Sequence, residues 1–339
     1  AGYATGYFGK WHLGGHGFGP AEQGWQTALE CQGNTVPPRI TGARESRRTA
    51  EFLTERAVEF INVNKDRPFL LQVSHFAVHI PLSTTPELLA KYEAKPAMPG
   101  YPSLPAYAGL LEELDRSVGS IVSAVDRAGL AENTLVLFLS DNGGLEHEQN
   151  GRIVTSNKPL RAEKGTLYEG GIRIPAIARW PGHVPPVSVC ETPVITMDIY
   201  PTLVELASAQ MAADQPCDGV SLARLLRDPT APLDRHALYW HLPHYHHSTP
   251  ASAIRRGDWK LLEFFEDARI ELYNLQDDVS EQRDLAAAEP DRAAELREAL
   301  RHWRHAVGAR MPEPNPNFDA GRAAELAKRR DTLKGRPVP

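Results

Sequence analysis

Two apolar runs of strand length, "PFLLQVS" (Pro68–Ser74) and "NTLVLFLS" (Asn133–Ser140), each follow a long stretch in which apolar residues recur every three or four positions. Before the first, Phe52, Leu53, Ala57, Phe60 and Ile61 mark a helix over residues 44–64. Before the second, Leu110, Leu111, Leu114, Val118, Ile121, Val122 and Val125 mark another over residues 105–130. The runs do not alternate apolar with polar residues, so both faces of each strand need cover. Helices alternating with such strands predict an α/β fold with a largely parallel sheet flanked by helices. "YATGYFGK" and "IPAIARWPG" supply further strands, and "TMDIYPTLVELAS" a helix with Asp198 available as its cap and Pro201 in its first turn. Sheets of this kind bind ligands beyond the carboxyl ends of their strands.

The pattern changes after "RDPTAPLDRH", which reads as a linker. The runs "ALYWHLP", "SAIRRGDWKLLEFFED" and "RIELYNL" are joined by short turns and predict an antiparallel sheet. A helix follows from Asp291 to about Val307, and "MPEPNPNFD" is proline-rich and extended. The expected organisation is a core over residues 1–230, a smaller antiparallel-sheet-plus-helix unit over 236–312, and an extended or flexible tail over 313–339.

Composition excludes some functions. A net charge of −6 leaves no basic face for nucleic acid, and "RESRRTAEFLTER" reads as one solvated helix face. No apolar run approaches the roughly 18–20 residues of a membrane-spanning helix. Cys31, Cys190 and Cys217 are odd in number and lack zinc spacing. No secretory signal is visible, and the chain opens on Ala1, as a fragment or processed product would.

Five stretches carry chemistry. In "GYFGKWHLGG", Lys10 and His12 stand two apart, so on an extended segment both point to one side, an ammonium for an anionic oxygen beside an imidazole for proton transfer. A solvated lysine and a packed histidine fit the same spacing. In "SHFAVHIPL", His75 and His79 leave a strand where a site is expected, and Pro81 disfavours a helix. Ordinary loop histidines are the alternative. In "LSDNGG", Asp141 and Asn142 offer paired hard oxygens to Ca²⁺ or Mg²⁺, beside glycines that permit a sharp turn; an Asx turn explains them equally well. "NKPLRAEKGTLYEGGIRIP" is a long aperiodic loop whose Lys158, Arg161, Lys164 and Arg173 favour an anion or simply solubility. "YWHLPHYHHS" holds His241, His244, His246 and His247 without a zinc pattern and reads as a loop over a site, with His244 and His246 near substrate.

Taken in order, "GYATGYFGKWHLG", "HFAVHIPL", "LSDNGG", "LRAEKGTLYEGGIRIPAIARWPG", "AIRRGDWKLLEFFED" and "ELYNLQDDVSEQRDLA" resemble the sulfatase family of the alkaline-phosphatase-like superfamily. The resemblance runs to about residue 312 and implies hydrolysis of an aryl or carbohydrate sulfate ester, with a small molecule or saccharide as partner. It implies Lys10 and Lys164 on sulfate oxygens, His12 at the nucleophile, His79 protonating the leaving oxygen, and Asp141 and Asn142 on a divalent cation, usually Ca²⁺. Glu169 and Arg173 would order their loop. His75, His244 and His246 are further substrate-binding candidates. The family's nucleophile, a formylglycine made in a C/S-x-P-x-R segment, has no counterpart in this chain. The resemblance puts that segment upstream of Ala1, so the expectation is a sulfatase lacking its N-terminal part and inactive alone. It also implies a periplasmic or secreted location. A phosphate or phosphonate ester hydrolase and a catalytically dead anion-binding module are the competing readings.

Overall fold

The computed structural model describes residues 1–325 other than 43, 147, 150 and 151; the last part of the expected tail, residues 326–339, lies outside them. Strand β1 (Ala4–Gly9) is flanked by β2 (Thr27–Glu30) and β3 (Phe69–Ser74), and both pairings are parallel. β1 and β3 run in register to their last residues, Gly9 opposite Ser74, so the chain leaves both strands at the same edge. Helix α1 (Thr49–Asn64) packs Phe52, Leu53, Ala57 and Phe60 against Ala4 and Phe8 of β1. Each large apolar side chain buried there contributes about 1.5–3 kcal/mol. The Phe60 ring lies 2.8 Å from where a Cβ on Gly6 would stand, so the central strand needs glycine at that point.

Helix α1 begins at Thr49, later than its apolar spacing suggests. Arg47 and Arg48 instead pair as a short antiparallel bridge with Thr35 and Val36. Their guanidinium groups bind Glu55 and Glu113, which makes "RESRRTAEFLTER" an ion-paired surface more than a merely solvated one. Helix α2 (Pro86–Glu93) starts with the Thr85 hydroxyl accepting from the Leu88 N–H at 3.3 Å. Helix α3 (Pro105–Arg127) covers Ile61, Phe69 and Leu71 with Ala124 and Val125.

Strand β4 (Val136–Leu139) pairs antiparallel with β5 (Ala176–Arg179). The runs expected to be buried on both faces are only half-buried in β3 and β4, and Ile177 in β5 is exposed. Their apolar character exceeds the cover that the described residues give them. Helix α4 (Ile199–Leu206) keeps Pro201 in its first turn. Asp198 does not cap it with a side-chain hydrogen bond. The buried carboxylate accepts from the backbone of Ile195 and Val220 and pairs with Arg235, which ties down the stretch read as a linker.

The C-terminal part is an antiparallel sheet of β6 (Leu238–Leu242), β7 (Ala251–Arg256), β8 (Trp259–Phe264) and β9 (Ile270–Asn274), in that order. Alternate residues face opposite ways. Ile254, Leu261 and Leu272 pack under helix α5 (Pro290–Ala306) through Ala293, Leu296 and Leu300. Ala253, Leu262 and Tyr273 face the other way and pack against Leu167, Tyr168 and Ile172. The loop between β4 and β5 therefore rests on the C-terminal sheet. The chain is an α/β protein with a parallel sheet flanked by helices and a smaller antiparallel sheet backed by a helix.

Candidate functional site

At the shared edge of β1 and β3 the backbones are in close contact. Gly9 has φ +123°, and a Cβ there would stand 2.0 Å from the Ser74 carbonyl oxygen. The Lys10 N–H donates to that oxygen at 2.8 Å, and the Tyr7 hydroxyl donates to the Lys10 carbonyl. The Lys10 ammonium stands 5.3 Å from the centre of the Phe76 ring, and the His79 ring stands 5.0 Å from it. Phe76 thus brings the cation and the imidazole to one place. The His79 loop is closed by its N–H on the Phe76 carbonyl at 2.8 Å. Asn34, buried, donates to the carbonyls of His79 and Pro81 at 3.1 and 2.9 Å. His79 Nδ1 lies 2.6 Å from the Ile80 carbonyl oxygen. An acceptor there requires the proton on Nδ1, which leaves Nε2 as the free nitrogen.

His12 and His75 depart from expectation. β1 ends at Gly9, and His12 is exposed with φ +54°, in the left-handed region. The extended geometry that would align Lys10 with His12 is absent, so nothing in the local backbone directs the two together. His75 turns inward. Its Nε2 lies 3.2 Å from the Ser117 hydroxyl, and its Nδ1 is buried without a partner. Burial pushes its pKa down to about 4.

A second group forms on the loop after β4. Asp141 is exposed, and no hydrogen bond or ion pair engages its carboxylate among the described residues. The Asn142 amide donates to the Gly143 carbonyl at 2.9 Å, leaving its own oxygen free. Gly143 donates to the Gly171 carbonyl at 3.0 Å, and a Cβ at 143 would lie 1.7 Å from the Gly170 oxygen. Asn157 clamps the next residue: its oxygen accepts from Gly144 N–H and its amide donates to the Gly144 carbonyl, both at 2.8 Å. The Lys164 N–H reaches the same Gly144 carbonyl at 3.2 Å, so Lys164 is held beside the Asp141–Asn142 loop. Val78 and Ile80, the residues on either side of His79, pack against the cluster of Leu82, Leu110 and Val154. No hydrogen bond or ion pair connects the groups directly among the described residues.

Around Lys164, His246 abuts Gly165 and stacks on His247, whose Nδ1 lies 3.0 Å from Glu163. Desolvation and then the charges of His247, Lys164 and His244 push His246 below the ordinary histidine range. His244 and His246 are both exposed. Of the other cations of the loop, Lys158 is exposed and the two arginines are engaged elsewhere. Arg161 lies over Tyr168 at 4.0 Å and donates to Tyr273 and the Glu281 carbonyl, and Arg173 stands 3.6 Å from Glu169. His241 bridges Ser252 and the Arg310 carbonyl. Asn34, Phe76 and Asn157 were missed in the sequence, where an isolated amide or phenylalanine carries no period or spacing.

Asp141 and Asn142 are hard-oxygen donors at a strand end and suit Ca²⁺ or Mg²⁺ in kind, but they offer few of the roughly six to eight oxygens that Ca²⁺ takes. Among the described residues no group of three or more His, Cys, Asp or Glu side chains is arranged to hold a metal ion. No helix among them is long and apolar enough to cross a membrane.

Comparison with known proteins follows the same outline. The sulfatase family model matches residues 1–209, and the model for the C-terminal part of N-sulphoglucosamine sulphohydrolase matches 162–306. A sulfatase of Formosa agariphila is 38% identical over 262 residues, covering 70% of this chain and 46% of that protein. The steryl-sulfatase of Mus musculus is 37% identical over 178 residues, covering 52% of this chain and 27% of that protein. The chain therefore spans half or less of the length of these relatives. The crystal structure of Ps i-CgsB in complex with k-i-k-neocarrahexaose superposes with a TM-score of 0.77 at 27% identity, covering 98% of this chain and 78% of that one. With the family model matched over more than half its length, this chain belongs to the sulfatase family.

Proposed function

We propose that this chain is part of a sulfuric ester hydrolase acting on an aryl or saccharide sulfate. The observation that carries the reading is the approach of Lys10 and His79 to the same Phe76 ring where β1 and β3 end, together with a second group in which Lys164 is held beside the Asp141–Asn142 loop. A sulfate monoester anion needs its oxygens neutralised and its leaving oxygen protonated. Lys10 and Lys164 bind the sulfate oxygens. When His79 is protonated, its Nε2–H donates to the leaving oxygen while the Ile80 carbonyl fixes the ring through Nδ1. His12, exposed on the loop after β1, moves a proton at the nucleophile. Asp141 and Asn142 would hold a divalent cation, Ca²⁺ or Mg²⁺, which supplies charge neutralisation at the sulfate. A formylglycine nucleophile, as the family resemblance implies, is not formed by any residue of this chain, which has no C/S-x-P-x-R stretch.

His244 and His246, exposed beside Lys164, suit the hydroxyl groups of a saccharide. The saccharide reading is supported by the oligosaccharide bound to Ps i-CgsB. Rates of the complete protein on 4-nitrophenyl sulfate and 4-nitrophenyl phosphate test the proposal. Faster hydrolysis of the sulfate is expected. A preference for the phosphate selects a phosphate monoester hydrolase, and turnover of neither, with no sulfate released from a sulfated oligosaccharide, selects a binding module.

A further inference from the structure

Lys260 is a lysine with no exposure at all, in the middle of the C-terminal sheet. Its ammonium lies 2.8 Å from Glu169 and 2.8 Å from Glu281, both buried carboxylates. Glu281 also accepts from the Glu169 backbone N–H at 2.7 Å, and its own backbone sits at φ +51°, a conformation a non-glycine residue adopts only where its surroundings hold it. Charges are kept inside a protein only with such partners, since each costs several kcal/mol to desolvate. Glu169 opens the single helical turn Glu169–Ile172, whose Gly170 and Gly171 are the residues on which Gly143 is seated.

We propose that Lys260 is a positioning residue: through Glu169 and the Gly170–Gly171 turn it fixes the seat of the Asp141–Asn142 loop. The path is short and made of contacts with no slack. Lys260 Nζ holds the Glu169 carboxylate, Gly170 follows Glu169 directly, and there is no room for a Cβ between Gly143 and the Gly170 oxygen. Gly170 is further fixed by its N–H on the Arg161 carbonyl at 2.8 Å, and Arg161 donates to the Glu281 carbonyl at 2.7 Å, so both carboxylate residues brace the turn. The C-terminal sheet is thereby part of the scaffold of the candidate site. The consequence for cation binding rests on the proposed function given above; the mechanical link from Lys260 to Gly143 does not.

Hydrogen–deuterium exchange on the 339-residue chain tests the link. In Lys260→Met, peptides covering residues 140–146 and 165–173 should exchange at least about tenfold faster, with β1 and β3 unchanged, and Lys260→Arg should restore most of the protection. A rise confined to the C-terminal sheet, with residues 140–146 as protected as before, overturns the proposal. So does a uniform rise across the chain that Lys260→Arg does not reverse. If Lys260→Met does not fold, Glu281→Gln must show the same localised loosening, and unchanged exchange at 140–146 in that variant is equally fatal. Calorimetric titration with Ca²⁺ separates the two readings. The wild type should bind and Lys260→Met should bind about tenfold more weakly, the scale of effect seen when residues supporting metal ligands are removed. Equal affinity overturns the positioning role, whereas a wild type that binds no Ca²⁺ while the exchange pattern appears defeats the cation reading and leaves the link standing.

Discussion

His75 and His79 leave the same strand four residues apart, and their surroundings divide them. His79 keeps one nitrogen on the Ile80 carbonyl and the other free, beside a ring that also carries the Lys10 ammonium. His75 is enclosed next to Ser117, with an unpartnered buried nitrogen. Burial holds its pKa near 4, so the folded protein keeps the ring neutral where the unfolded chain takes a proton at about 6.5. The unfolded state then binds more protons between these values, and stability rises with pH across that window. Stability should therefore fall by about 3 kcal/mol as pH drops from 6.5 to 4. Urea unfolding at stepped pH checks this: His75→Gln should flatten the slope over that interval, and an unchanged slope removes His75 as its source. The histidine pair also shows where sequence reading stops. Their spacing and the preceding strand identified the loop, but which ring turns inward depends on Ser117 from α3, a residue 42 positions away from His75.

Among the elements, the loops are held by glycine and asparagine where apolar cover is thin. Gly143 is wedged on the Gly170 oxygen, and Asn157 clamps Gly144 from both sides. Gly143→Ala should overpack this contact and cost about 1–3 kcal/mol. Thermal unfolding with and without Ca²⁺ reads both consequences: a lowered midpoint, and loss of any Ca²⁺-dependent rise. A variant as stable as the wild type shows that the loop has room to move. Helices were legible because their periods are local, as the apolar spacing in α1 and α3 shows, and the C-terminal strands because short turns join them. The start of α1 was misread because Arg47 and Arg48 are claimed by a bridge to Thr35 and Val36 and by Glu55 and Glu113. In the cationic loop Arg173 pairs with Glu169, as the resemblance implied, whereas Arg161 turns to Tyr168 and leaves Lys158 and Lys164 for an anion. Such commitments are tertiary and carry no local signature.

At the scale of the whole molecule, β1 and β3 are parallel, in register and end together, which brings the segments carrying Lys10 and His79 to one sheet edge, while the loop after β4 rests on the C-terminal sheet. The sequence order of "GKWHLGG", "HFAVHIPL" and "LSDNGG" revealed the family but not this support: the buried Lys260, Glu169 and Glu281 look like surface charges in the sequence, and only the sheet places them inside. The central claim is that Lys10 and Lys164 face one tetrahedral anion. Calorimetric titration of the chain with 4-nitrophenyl sulfate in the presence of Ca²⁺ addresses it directly. One equivalent should bind, and Lys10→Ala and Lys164→Ala should each weaken it by about tenfold or more, the scale of a hydrogen bond to a charged group. Binding of two equivalents with each substitution abolishing only one, or wild-type affinity in either variant, would contradict a shared site.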